Sequence, residues 1–160
     1  MNFMKRWYLI KTKPRQEQIA ISNLERQYYN VYCPKTIINK KPVVLFPGYL
    51  FIHLDFENQN WGPIKSTKGI KNFVRFGLKY ACIHDSIIDF IKANELNTKE
   101  KIENLNEYKI GEKVEITDGI FKNYIAIVKS IEPEERVILL LNLLGQQQSL
   151  NLKKKSIIGI

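Results

Sequence analysis

The chain has 160 residues, of which 44% are hydrophobic, and it carries a formal net charge of +9 at pH 7. This composition excludes a wholly disordered chain, and no apolar run approaches the roughly 20 residues that a membrane-spanning helix needs. The excess of Lys and Arg favours a polyanionic partner such as nucleic acid, although a Lys-rich composition alone would give the same charge. We therefore expect a soluble, cytoplasmic protein with no membrane partner.

Strands and helices alternate through the first part of the chain. The segment RWYLIKTK, residues 6–13, is rich in aromatic and branched residues and predicts a strand that ends before Pro14. Apolar residues then recur at helical spacing from Ile19 to Tyr28, and NVYCP predicts a short strand after them. Residues 35–42 are predicted to form a basic loop that leads into the strand LFPGYLFIHL, residues 45–54.

The strand at residues 45–54 predicts a covered aromatic surface. Side chains alternate between the two faces of a strand, so Tyr49 and Phe51 share one face while Leu50, Ile52 and Leu54 share the other. A face open to water should carry polar residues. Two aromatic residues there indicate a partner, either a helix of the same domain or another molecule.

The remaining elements predict an N-terminal domain over residues 1–96. They are a short helix at 63–67, a strand at 70–77 and a helix at 86–96 with Ser86 as its cap. The order β-α-β-β-α-β with an added helix predicts an α+β fold, a ferredoxin-like antiparallel sheet with helices on one side. Residues 97–108 are charged and polar and predict a linker to a small domain at 109–160.

No residue pattern predicts catalysis, a metal or a cofactor. Cys33 and Cys82 are too few and too scattered for a disulfide framework or a zinc site. His53 and His84 lack metal-ligand spacing, and no glycine-rich phosphate loop is present. We expect a non-enzymatic protein.

The C-terminal segment fits two different folds. EKVEIT and YIAIVKSI alternate as strands do and predict a five-stranded barrel. RVILLLNLLGQQQSLNLKKKS is rich in leucine and places Leu140, Leu141 and Leu144 at helical spacing. Both alternatives remain open from the residues alone.

Four segments resemble one known family. RWYLIKTKPRQEQIAISNLERQ, LFPGYLFIHL, STKGIKNFVRFG and GEKVEITDGIF are similar, in this order, to the NusG family of transcription elongation factors. NFVRFG at 72–77 and LLLNLL at 139–144 resemble the RfaH-like, operon-specific antiterminators within it. The resemblance implies an N-terminal NGN domain, a C-terminal KOW domain and antitermination through RNA polymerase.

The resemblance also implies two contacts with the polymerase. An aromatic sheet face would dock on the β′ clamp helices through rigid apolar anchors. Its residues would be Tyr8, Phe46, Tyr49 and Phe51, although Phe46 fits the core of its own domain equally well. Asn60, Trp61 and Gly62 stand where RfaH-like proteins have a His-Thr-Thr stretch that meets the β gate loop. Asn60 and Trp61 could still supply a polar and an aromatic contact there.

A second implied surface would bind the non-template DNA strand in the transcription bubble. Lys and Arg would neutralise phosphates, whereas Gln, Asn and Thr would hydrogen-bond base edges. The matching residues are Lys13, Gln16, Asn23, Arg26, Gln27, Thr67 and Lys68. The chain has Asn23 where the RfaH pattern has His and Pro14 where it has a basic residue, so we expect its DNA preference to differ from that pattern.

An α-helical hairpin in the C-terminal domain would mask the polymerase-binding face in an RfaH-like protein. The masking residues would be Tyr124, Ile127, Val128, Leu139, Leu140, Leu143 and Leu144. Arg136 matches an interdomain salt-bridge position, but its acidic partner is Val43 here, which weakens the expected lock. Released as a barrel, the domain would bind a small-subunit ribosomal protein. The alternatives are a general NusG-type factor and a ribosome-associated KOW RNA-binding protein, and we expect a monomer.

Overall fold

The computed structural model describes residues 5–95, 126–127 and 132–158. The elements are β1 Arg6–Thr12, α1 Glu17–Arg26, β2 Asn30–Tyr32, β3 Lys35–Ile38, β4 Lys41–Val44, β5 Tyr49–Leu54, a 3-10 helix Gly62–Ile64, β6 Ile70–Phe73, β7 Arg75–Phe76, β8 Lys79–Tyr80, β9 Cys82–Ile83, α2 Asp85–Asn94 and α3 Pro133–Ile158. No helix in this part of the chain is long and apolar enough to span a membrane.

The main sheet has the strand order β2-β5-β1-β6, and β9 also pairs with β1. All of these pairings are antiparallel. The order is that of a ferredoxin-like sheet, in which the first and third strands lie side by side at the centre. The prediction of an α+β fold with an antiparallel sheet and helices is therefore confirmed. Between β5 and β6, where a ferredoxin-like fold has its second α-helix, this chain has the 3-10 helix instead.

The two faces of the sheet carry separate apolar cores. On the first, which we call the α1 face, Ile10, Leu50, Ile52 and Leu54 pack under α1. On the second, which we call the aromatic face, the core residues of the sheet and the preceding loop are Trp7, Leu9, Leu45, Phe46 and Phe51, with Tyr49 packed at the edge.

Helices lie on both sides of the sheet, so the prediction that they share one side is wrong. Ala20 and Leu24 of α1 belong to the core of the α1 face. Ile87 and Ile88 of α2 belong to the core of the aromatic face. Alternation along β1 and β5 leaves both faces apolar, and each face therefore needs a helix of its own.

Residues 35–42, predicted as a basic loop, instead begin a β-hairpin. Strand β3 pairs antiparallel with β4, and Ile38 lies opposite Lys41. The two residues between the strands, Asn39 and Lys40, have φ of 52° and 63°. Positive φ at both positions is the requirement of the type I′ turn that suits a tight hairpin. The turn was missed because Lys at the second position is an uncommon choice.

Two further element boundaries differ from prediction. The strand predicted at 70–77 is broken at Val74, whose amide donates to the Leu9 carbonyl at 3.0 Å. The chain then reverses at Gly77, which has a φ of 64°. Helix α2 is capped by His84 rather than Ser86, because the His84 Nδ1 accepts a hydrogen bond from the Ser86 amide at 3.3 Å.

The leucine-rich C-terminal segment is helical in the structure. Pro133 begins α3, and Glu134 and Glu135 lie in its first turn, where carboxylates interact favourably with the helix dipole. Arg136, Leu140 and Leu144 follow at intervals of four residues, and all three are buried. One stripe of α3 thus faces the protein. The predicted linker 97–108 and the predicted barrel strand EKVEIT lie outside the described residues, as do Tyr124 and Val128.

Candidate functional site

The aromatic face brings together three of the four residues predicted to bind the polymerase clamp. Phe46 and Phe51 are each 1% exposed, and their rings meet edge to face with centroids 6.2 Å apart. Tyr49 is half-buried at the edge of the same cluster. Trp7 and Leu9 share this face and were missed from the sequence. They would have been found from the register of β1 against β5, which pairs Leu9 with Phe51, but the sequence does not reveal that register.

The prediction that Tyr8 shares the aromatic face is wrong. Tyr8 lies directly opposite Ile52 in the antiparallel pairing of β1 and β5, and paired residues point to the same side of a sheet. Ile52 belongs to the core of the α1 face, and Tyr8 packs against that core with its ring 4.5 Å from Phe56. Tyr8 is thus on the opposite side from Phe51.

The C-terminal segment covers the aromatic face. Ile127, Leu140 and Leu144 are at most 2% exposed and belong to the same apolar cluster as Phe46 and Phe51. Leu139 and Leu143 are partly buried and pack against this cluster. In contrast, Ile138 is 57% exposed on the outer side of α3. Five of the seven predicted masking residues therefore contact this cluster, and the other two lie outside the described residues.

Arg136 joins α3 to the sheet domain through a backbone carbonyl. It is 2% exposed, and its Nε donates a hydrogen bond to the Leu45 carbonyl at 2.8 Å. Burial lowers the pKa of the guanidinium below its ordinary value, while the nearby charge of Glu132 opposes that shift. The expected weakening of the lock, inferred from Val43, did not consider that a backbone carbonyl can accept a hydrogen bond from Arg136. No sequence signal marks such a carbonyl.

Helix α2 is held to the sheet by polar as well as apolar contacts. The Lys92 Nζ lies 4.8 Å from the ring centroid of Trp7 and 5.1 Å from that of Tyr32. The Tyr32 hydroxyl donates to the Glu95 carboxylate at 2.8 Å. His53 stacks on Trp7 with ring centroids 4.6 Å apart, and burial lowers the His53 pKa. These contacts fix α2 against the aromatic face of the sheet.

A basic groove of about 590 Å³ borders the aromatic face. Lys11, Lys65, Lys71 and Arg75 line it together with Tyr49, Phe73, Tyr80 and Leu141 of α3. The Arg75 guanidinium lies over the ring of Tyr80 at 4.6 Å and also donates to its hydroxyl at 2.9 Å. Part of the net positive charge is thus concentrated beside the surface that α3 covers.

Three of the residues predicted to bind DNA are joined by hydrogen bonds at the C-terminal end of α1. The Gln27 side-chain nitrogen donates to the Thr67 hydroxyl and to the Asn23 carbonyl, each at 2.9 Å. Lys13, Arg26 and Lys68 are exposed near these residues in the chain, and Gln16 is half-buried. Thr67 is only 7% exposed, and its hydroxyl donates to the Pro63 carbonyl at 2.9 Å. In this structure the buried Thr67 hydroxyl holds the Gln27 side chain through the hydrogen bond between them.

Gly69 allows the loop at residues 65–69 to lie against α1. A Cβ added to Gly69 would lie 2.8 Å from the Ala20 backbone nitrogen, and its φ is +94°. The Gly69 carbonyl accepts a hydrogen bond from the Lys13 amide at 2.8 Å. Only glycine combines this conformation with so close an approach. The polar surface therefore depends on Gly69.

The two residues predicted to meet the gate loop differ in exposure. Asn60 is exposed, and its carbonyl accepts a hydrogen bond from the Tyr29 hydroxyl at 2.6 Å. Trp61 is half-buried in an aromatic cluster with Phe56, Phe73 and Tyr80. Asn60 is thus the more accessible of the two.

The described residues contain no group of three or more His, Cys, Asp or Glu side chains that could hold a metal ion. Cys33 and Cys82 are free thiols. Burial, with a smaller contribution from Glu17, raises the pKa of Cys33 to about 11. Burial also raises the pKa of Cys82. A thiol with a raised pKa is a poor nucleophile at neutral pH.

The sequence matches one family model and several named relatives. Residues 5–92 match the family model NusG, described as transcription termination factor nusG. The protein named transcription termination/antitermination protein NusG from Thermus thermophilus is 27% identical over 91% of this chain and 94% of its own length. The protein of that name from Staphylococcus aureus is 26% identical over 89% of each chain. A solved structure, described as domain interaction in Thermotoga maritima NusG, is 20% identical with a TM-score of 0.48 and covers 69% of this chain and 63% of that chain.

Proposed function

The chain belongs to the NusG family, and from this premise we propose that it is a transcription antitermination factor that binds elongating RNA polymerase through its aromatic face. One observation carries the proposal. Leu140 and Leu144 of α3 are fully buried in the apolar cluster that also holds Phe46 and Phe51, so a segment distant along the chain covers part of this face. A contiguous apolar surface of this kind marks a binding site for another protein.

The proposed partner site is the pair of β′ clamp helices of RNA polymerase. Phe46, Tyr49 and Phe51 would be its anchors, because rigid aromatic side chains in a desolvated pocket contribute much of the affinity of protein interfaces. Trp7 and Leu9 would support them from the same face. Asn60, at the exposed end of its loop, would contact the β gate loop, and Trp61 would support that loop through its aromatic neighbours.

The proposed resting state is autoinhibited, as in RfaH-like proteins. Burial of Ile127, Leu140 and Leu144 contributes about 1.5–3 kcal/mol for each side chain. The total stability of a domain is only about 5–15 kcal/mol, so this contact is large enough to select between two folds of the C-terminal segment. On release, residues 109–160 would fold as a five-stranded KOW barrel and bind a small-subunit ribosomal protein, which would couple transcription to translation.

The proposed DNA contact is the polar surface of α1 and the loop before β6. Arg26 and Lys68 would neutralise phosphates of the non-template strand, and Lys13 would add a third positive charge. Gln27 would read a base edge from the position that Thr67 fixes. Gln16 and Asn23 would extend the polar surface along the helix.

A general NusG-type factor is the second candidate. The named relatives that match along nearly their whole length favour it, as does the Asn60-Trp61-Gly62 sequence in place of His-Thr-Thr. Mapping the protein on polymerase across the genome separates the two candidates. Occupancy confined to a few operons supports the RfaH-like function, and occupancy of most transcribed genes supports the general one.

The polymerase contact is tested with a released chain. In the Leu140→Asp background, Tyr49→Ala should weaken binding to stalled elongation complexes about tenfold or more, because it removes an interface anchor. Leu78→Ala is the matched control, since Leu78 is 97% exposed on the β7–β8 turn and lies outside the aromatic face. Unchanged binding by a folded Tyr49→Ala variant would remove the basis of the proposal.

A further inference from the structure

We propose that Tyr28 is a stacking platform for an unpaired base of single-stranded nucleic acid on the α1 surface. The inference rests on the proposed function, because it assumes that this surface binds the non-template strand. Tyr28 belongs to no predicted site. It is 94% exposed and directly follows Arg26 and Gln27 of the predicted DNA surface.

The backbone holds Tyr28 in an unfavourable conformation. Helix α1 ends in a Schellman motif, in which the Tyr29 amide donates to the Leu24 carbonyl at 3.1 Å and the Tyr28 amide donates to the Glu25 carbonyl at 2.9 Å. This motif requires a left-handed residue at the position of Tyr28, where φ is 68°. Glycine is the residue that suits this position, and an aromatic side chain there is an outlier.

Packing does not explain the choice of tyrosine. With 94% of its surface exposed, the side chain of Tyr28 buries almost no area that would offset the backbone conformation. The next residue, Tyr29, is by contrast 8% exposed and bonded through its hydroxyl to the Asn60 carbonyl. Strained residues that contribute nothing to the core are concentrated at binding sites.

The neighbours of Tyr28 hold its backbone in place. Gln27 is bonded to Thr67 on one side, and Tyr29 is anchored to the loop at Asn60 on the other. The ring therefore projects into water from a backbone that two long-range hydrogen bonds fix. Since the backbone that carries the ring is held, stacking of a planar ligand has to fix only the side-chain rotamer.

The chemistry of the surroundings points to nucleic acid as the ligand. Proteins bind single strands by combining cations for the phosphates, aromatic rings for stacking and amides for base edges. Arg26, Tyr28 and Gln27 supply these three groups within three consecutive residues. The exposed side chains beside Tyr28 are polar or charged, which does not suit an apolar protein partner.

The experiment measures fluorescence anisotropy of fluorescein-labelled single-stranded DNA with the full chain at low ionic strength. Tyr28→Gly should weaken binding about tenfold or more, the range for loss of one base stack. The same variant should unfold at an equal or higher temperature than the wild type, because glycine suits the left-handed position. Tyr28→Phe keeps the ring and should bind as the wild type does.

Two matched ligands isolate the stacking contribution. An abasic oligonucleotide of the same length retains the phosphates but offers no base, so wild type and Tyr28→Gly should bind it equally. The slope of affinity against salt should be unchanged in Tyr28→Gly and reduced in Arg26→Ala, since only the arginine neutralises a phosphate.

Several results would overturn the proposal. If Arg26→Ala weakens binding and Tyr28→Gly does not, the nucleic-acid surface stands and the stacking role of Tyr28 is wrong. If Tyr28→Gly reduces binding to polymerase but not to DNA, the ring contacts protein. If the wild type binds no oligonucleotide, the stacking role and the DNA surface are both wrong, while the polymerase contact of the aromatic face is tested separately.

Discussion

The two faces of the sheet differ in the sequence separation between the strands and the helices that cover them. On the α1 face, Ile52 packs under a helix that follows β1 after only four residues. On the aromatic face, α2 follows β9 after one residue, whereas Arg136 of α3 is separated by 91 positions in the sequence from Leu45, which it contacts. A cover that is local in sequence cannot leave without disrupting its domain. Under the proposed function, the distant cover leaves and exposes a surface that remains folded.

The largest expected effect compares two equally buried side chains, one on each face. Ile52→Ala should lower the free energy of unfolding of the N-terminal domain by about 2–5 kcal/mol, the cost of a core cavity. Leu140 is as fully buried as Ile52, but it lies on α3, so under the proposed function Leu140→Ala should mainly release α3. Native-state hydrogen exchange of β5 and α3 amides measures the two separately. If the β5 amides lose the same protection from exchange in both variants, the two faces do not differ in this way.

The next largest effect is expected from replacing Arg136, and it should be confined to the contact of α3 with the aromatic face. Arg136→Met leaves the buried Leu45 carbonyl without this donor, which costs about 1–3 kcal/mol. Protection of α3 amides should fall while that of β1 and β5 is retained. Asn142→Met, at an exposed position of the same helix, is the control. If the α3 amides are equally protected from exchange in both variants, the hydrogen bond to the Leu45 carbonyl does not hold α3 on the sheet.

Gly69 tests the α1 face alone. Gly69→Ala combines an unfavourable φ with a clash against the Ala20 backbone, whereas Gly48→Ala has a similar φ of +87° and open space around it. The left-handed conformation costs each variant about 1–2 kcal/mol, so the extra loss of thermal stability in Gly69→Ala measures the clash. DNA binding should fall with it. An equal melting temperature for the two variants would contradict the close approach of the loop to α1.

The sequence predicted which residues of β5 share a face, but not the β3–β4 hairpin, the side of Tyr8 or the hydrogen bond of Arg136. Alternation along β5 correctly separated Phe51 from Ile52, because the period of two is a local property. Tyr8 was placed on the wrong face because its side depends on the pairing of β1 with β5. The Arg136 contact was missed because a backbone carbonyl leaves no trace in the sequence. The β3–β4 hairpin was missed because its turn uses Lys40 in a conformation that lysine rarely adopts.

A test that leaves stability at neutral pH unchanged concerns the reactivity of Cys33, which packs against the core of the α1 face. Its pKa of about 11 keeps the thiol protonated at pH 8, so in a Cys82→Ala background it should react with Ellman's reagent on the order of 100-fold more slowly than in the unfolded chain. Because the folded pKa is raised, its contribution to stability is present below the unfolded pKa and is lost as pH rises toward 11.

The same thiol also reports whether the two faces are independent. Adding Leu140→Asp should leave the Cys33 rate unchanged, since α3 covers the other face. Faster reaction of Cys33 in that variant would mean that release of α3 opens the α1 face as well.

The central claim is that α3 reversibly covers a polymerase-binding surface, and the affinity for bacterial elongation complexes tests it most directly. Leu140→Asp places a charge at a fully buried position and should release α3, whereas Ile138→Asp places the same charge at a position that is 57% exposed. We predict that Leu140→Asp binds more tightly than the wild type and that Ile138→Asp binds as the wild type does. Binding by Leu140→Asp that is equal to or weaker than that of the wild type, in a variant whose N-terminal domain is folded, would contradict the account.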